Sequence, residues 1–142
     1  MNPSVWDLGA ALEEGAHAQI SLCFGHRVSA IALERDGDGH LTGGYCDHRA
    51  TDDEGDTDEC SLRIKLAGVI ARKLAGIEDA PLSSHADMDG AAEICKRNGW
   101  GDEILADAWL ETEQLVRQEF VGIVRLAAEV LRHGSISVRV SP

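Results

Sequence analysis

No stretch of this sequence approaches the roughly 20 apolar residues that a membrane-spanning helix needs. The first residues also lack the basic-then-apolar pattern of a secretion signal. These two absences predict a cytoplasmic protein with no membrane partner. The four cysteines, Cys23, Cys46, Cys60 and Cys95, form no Cys-x-x-Cys pair. In a reducing compartment that spacing fits free thiols or small buried side chains rather than disulfides. Basic side chains are few, 13 Lys and Arg against 25 Asp and Glu, for a formal charge of −12. Such a surface has little with which to neutralise phosphates, so nucleic acid and anionic membranes are excluded as nonspecific partners. No internal repeat, low-complexity block or linker divides the chain, and a single domain over residues 1–142 is expected.

Within those bounds the composition is that of a soluble globular domain, 44% hydrophobic and 27% charged. Val5, Leu8, Leu12, Ala16 and Ile20 recur at helical spacing, with Ser4 placed as an N-cap, and predict an amphipathic helix from about Ser4 to Phe24. Arg27 to Glu34 alternates, with Val28, Ala30 and Ala32 on one side and Ser29, Ile31 and Leu33 on the other. Asp36-Gly37-Asp38-Gly39 is a turn signal, and Leu41 to His48 would complete a β-hairpin. The Asp-x-Asp spacing resembles the start of a calcium loop, but the twelfth position holds Asp47 where glutamate is expected. Residues 51–59 read as a solvated acidic loop.

Cys60 to Leu74 returns to helical periodicity, offering Leu62, Ile64, Leu66, Val69, Ile70 and Leu74 to a core, and Gly76 stops it. Ser83 and Ser84 offer an N-cap to a helix over His85 to Arg97. After a break at Asn98 to Gly101, Asp102 to Arg132 is helical in one or two pieces. Its buried stripe is predicted as Leu115, Phe120, Ile123, Val124, Ala127, Val130 and Leu131. The tail from His133, with Ile136, Val138 and Val140 in alternation, is either a short edge strand or a loosely held end. The expected fold class is mainly α with a small β-hairpin. Trp6, Trp100 and Trp109 are expected as core or interface anchors, and His26, His40, His48 and His133 as surface residues.

The chemistry concentrates in Glu13-Glu14-Gly15-Ala16-His17-Ala18. Glu13 and His17 are four residues apart, on one helix face. The pattern differs at one residue from His-Glu-x-x-His, in which two histidines hold zinc and the glutamate activates water.

Several pieces, in this order, resemble the zinc peptidase domain of the FtsH-type, AAA+-coupled proteases. Glu13 to Ala18 stands where that family has its His-Glu-Ala-Gly-His-Ala helix. Gly43-Gly44-Tyr45 stands at its Gly-Tyr turn, and Leu66-Ala67-Gly68 through Gly76 resembles its next helix, with Arg72 and Lys73 in place of the usual glutamates. His85-Ala86-Asp87-Met88-Asp89-Gly90-Ala91 resembles the stretch that carries the third ligand. The resemblance implies His17 and Asp87 as metal ligands, with Glu13 replacing a histidine, and Glu14 as general base. His85, two residues before Asp87, is a substitute ligand. Zinc is the implied cofactor, and two carboxylates would shift preference toward a harder ion such as Mn²⁺ or Mg²⁺. Without metal, Glu13, Glu14 and Asp87 would crowd one histidine, raising carboxylate pKa values or turning Glu13 outward to solvent. Two functions follow: metal-dependent peptide hydrolysis, or an inactive pseudopeptidase that binds a peptide or protein partner. The ATPase module of the family is not in this sequence.

Overall fold

The computed structural model describes residues 4–78 and 82–137, the side chains of residues 82–84 excepted. Its elements in chain order are helix α1 (Val5–Cys23), strands β1 (Arg27–Arg35) and β2 (Leu41–Arg49), and helices α2 (Asp58–Leu74), α3 (Leu82–Asn98), α4 (Asp102–Gln118) and α5 (Phe120–His133). A short strand, β3 (Ser135–Ser137), follows. The fold is mainly helical with a small antiparallel sheet of order β2-β1-β3, one strand more than a hairpin. The tail resolves to an edge strand, Ile136 pairing with Ile31, while Val138 and Val140 lie outside the described residues.

Helix α1 is the centre. Ser4 caps it in a reciprocal box with Asp7. It packs on α5, α2 and the sheet together. Residues 9–18 are consequently buried all round the helix, so it is not the one-sided amphipathic helix expected. Small residues allow this. A Cβ at Gly15 would lie 2.9 Å from the Ile123 carbonyl oxygen of α5. The first turn emerges from the packing, leaving Val5 and Leu8 exposed where periodicity placed them inside.

The hairpin turn closes through Asp36, whose carboxylate accepts from the backbone N–H groups of Asp38 and His40, and through Gly39 at φ +83°. In β1 a bulge at Ser29 interrupts the register between Val28 and Ala30. Val28 and Ile31, on opposite sides by simple alternation, therefore both enter the core.

Helix α2 starts at Asp58, two residues before the expected Cys60, because the Thr57 hydroxyl accepts from the Cys60 N–H and places Asp58 and Glu59 in the first turn. The acidic loop before it is tied down. Thr51 Oγ1 donates to the Gly25 carbonyl, and His26 Nε2 donates to that of Gly55. His26 is accordingly buried, not a surface residue, whereas His40 and His133 are exposed.

Helix α3 includes Ser83 and Ser84 in its first turn, so neither caps it. The long C-terminal helical stretch is two pieces broken at Glu119. Ile123, Ala127 and Val130 of α5 are buried, Leu115, Phe120 and Leu131 pack partly buried on the core, and Val124 is exposed. Trp100 and Trp109 also pack partly buried on that core, while Trp6 is half exposed. Cys95 is buried, Cys23 exposed, and all four cysteines are free. No helix among the described residues is long and apolar enough to cross a membrane.

Candidate functional site

The middle of α1 is the floor of a cleft of about 260 Å³, with Glu14 and His17 facing into it. Gly44, Tyr45, Cys46 and His48 of β2 form one wall, and Ile64 and Lys65 of α2 with Ala86 and Asp87 of α3 form the other. Residues 70 positions apart thus meet: His17 Nε2 lies 2.8 Å from Asp87 Oδ2.

The other nitrogen of the same ring, Nδ1, lies 2.7 Å from the carbonyl oxygen of Ile64. Both ring nitrogens face oxygen atoms, an arrangement that favours the doubly protonated imidazolium. Its pKa agrees. Burial by itself lowers it, but the Asp87 hydrogen bond, the charges of Glu14 and Asp87 and the Ile64 carbonyl outweigh burial and raise it from 6.5 to about 9. The ring packs against the backbone of α2, where a Cβ at Gly68 would sit 2.8 Å from Nε2.

Glu14 is buried and its pKa is raised from 4.5 to about 7. Burial is the main cause. The His17 charge opposes it, and the Asp87 and Glu13 carboxylates add to it. Burial also pushes the Cys46 thiol up, with Glu14 adding to the effect, so this cysteine is no thiolate nucleophile. His48 is held below its ordinary value by burial first and by His26 second. The two rings face each other with Nδ1 atoms 3.0 Å apart. Since His26 Nε2 donates to Gly55, the Nδ1 proton of the neutral pair belongs to His48.

Glu13 lies elsewhere. Fully buried, it does not line the cleft, and its Oε1 accepts from Arg72 Nε at 3.0 Å. Arg72 is itself buried, and its Nη1 donates to the carbonyls of Ile77 (2.6 Å) and Glu78 (2.9 Å). Glu13 turns inward to a cation, not outward to solvent. His85 is exposed and does not line the cleft, and Asp89 is exposed as well.

Among the described residues, one group of three His, Cys, Asp or Glu has its ligand atoms within 4.8 Å of one another: Asp36, Asp38 and His40. It is exposed, and the Asp36 carboxylate already serves its own turn. Glu13, His17 and Asp87 do not form such a group.

The sequence pointed to Glu14, His17 and Asp87 for this region. It missed Arg72 as the partner of Glu13, and His26 and His48 as a linked pair. A signal for the first existed: the two departures from the FtsH-type pattern, an acid for a histidine and a base for an acid, are complementary in charge. No protein-family model matches the chain, and no curated protein matches it in sequence.

Proposed function

We propose that this chain is a non-hydrolytic, peptidase-like binding module that takes an extended peptide segment over the cleft of Glu14, His17 and Asp87. The observation that carries the reading is the buried Glu13–Arg72 ion pair. It commits to structure the carboxylate that the FtsH-type likeness would assign to a metal. The remaining donors do not fit a zinc site as arranged, because among the described residues Glu14, His17 and Asp87 do not bring three ligand atoms within 4.8 Å of one another.

Binding of a segment is supported by the position of β2. It is an edge strand of the sheet and at the same time a wall of the cleft. Its outward N–H and C=O groups suit main-chain pairing with an extended segment, while the cleft receives a side chain. The charge of −12 favours a segment bearing basic side chains.

The test is calorimetric titration with a library of basic, extended peptides, beside elemental analysis of protein purified without a metal-affinity column. Expected are saturable peptide binding, under about a tenth of an equivalent of transition metal, no thermal stabilisation by zinc or manganese, and no peptide cleavage. Stoichiometric metal together with hydrolysis abolished in Glu14→Gln would overturn the reading and restore the metallopeptidase. Absence of any saturable peptide binding would reject the module.

A further inference from the structure

A second groove, of about 340 Å³, opens where β1 begins and β2 ends. It uses none of Glu14, His17 or Asp87. Its lining includes Arg27 and Arg49, which are directly opposed across the β1–β2 ladder. Like charges in that relation repel. The chain has 25 acidic side chains with which to relieve them. Yet among the described residues neither guanidinium has a hydrogen-bond or ion-pair partner.

The acid in the same groove, Asp47, is engaged by Ser29 Oγ at 2.7 Å, and Thr51 Oγ1 donates to the Gly25 carbonyl. The hydroxyls are thus engaged inside the protein, and His48 Nδ1 is paired with His26, which leaves the two arginines as the charged donors lining the groove. We infer that this groove is an oxyanion site in which Arg27 and Arg49 together grip one carboxylate or phosphate group.

Two guanidinium groups carried on opposed residues suit an oxyanion, because each planar fork can make paired, charge-assisted hydrogen bonds to it. An anion between them turns their mutual repulsion into a shared attraction. Asp47, two residue pairs further in, repels negative charge and so selects ligands that are anionic at one end only. The groove shares His48 with the cleft but takes its anion-binding groups from outside it, so the inference stands if the peptide-binding reading fails.

The experiment is thermal unfolding and calorimetry of the full chain with inorganic phosphate or acetate, against chloride at equal ionic strength. At least one oxyanion is expected to raise the melting temperature saturably. Arg27→Ser and Arg49→Ser should each weaken its binding by about tenfold or more. Each variant should melt no lower than the parent in chloride, because it removes a like-charge pair. Arg27→Lys with Arg49→Lys, which keeps charge but loses the forks, should also lose most of the affinity. Saturation by phosphate alone assigns a phosphate ester, and saturation by acetate assigns a carboxylate. No saturable shift with either anion, or an equal shift in the parent and the serine variants, overturns the site.

Discussion

Glu13 and Arg72 form an ion pair with neither side exposed, and such a pair is costly to break on one side only. Arg72→Met takes the guanidinium from a buried carboxylate and removes a donor from two carbonyls. Its expected loss of stability is about 3–5 kcal/mol by urea unfolding. Adding Glu13→Leu removes the buried charge itself and should recover part of that loss; an undiminished loss in the double variant would show that the carboxylate is not the cause. His17 gives a second, pH-dependent expectation. Its folded pKa, about 9, lies above the unfolded 6.5. The stability it confers is therefore complete below pH 6.5 and is lost as pH rises through 9. Glu14 has the same sign in an earlier window, between 4.5 and about 7, where the folded protein keeps a proton that the unfolded chain has released. His48, with its pKa lowered, acts oppositely on the acid side. The melting temperature should thus fall between about pH 7 and 9, and Asp87→Asn should flatten that slope. A slope the same in both proteins would remove Asp87 as the partner that holds the proton on His17.

Among the elements, two glycines decide how closely helices approach the site helix, and they separate packing from chemistry. Gly15 lets α1 meet the backbone of α5, where an added Cβ would be 2.9 Å from the Ile123 oxygen and 3.3 Å from the Ala127 nitrogen. Backbone does not yield cheaply, so Gly15→Ala should cost about 1–3 kcal/mol. Gly68 lets α2 meet the His17 ring, with an added Cβ 2.8 Å from it. Gly68→Ala should also destabilise, but by displacing the ring it should abolish the alkaline slope, which Gly15→Ala leaves intact. Identical pH profiles in the two variants would contradict this assignment. Element positions were readable because turn and cap residues act locally: Ser4, Gly39 and Gly76 each act within a few residues of their own position. The bulge at Ser29 was not readable. It is a compromise between β1's pairing with β2 and the packing of Val28 and Ile31, and alternation alone reports only an undistorted strand.

The whole molecule is organised on α1, against which α2, α5 and the sheet all pack. Ile20, fully buried in this shared core, is a member of no peripheral cluster. Ile20→Ala should therefore cost about 2–5 kcal/mol and lower one cooperative transition, seen alike by fluorescence and far-ultraviolet dichroism. Separate transitions by the two probes would contradict a common core. The sequence by itself determined the element order and the mainly helical class with a small sheet, and the resemblance suggested that Glu14, His17 and Asp87 meet. Helical and strand periods and cap residues are local, and the order of motifs suggested which distant segments meet. Only the tertiary structure decided that α1 is enclosed on every side, that His26 is buried against Gly55, and that Glu13 turns to Arg72. A periodic pattern records which face is apolar. It does not record which charged group, 59 residues away, stands opposite a buried carboxylate, and that choice is made by packing.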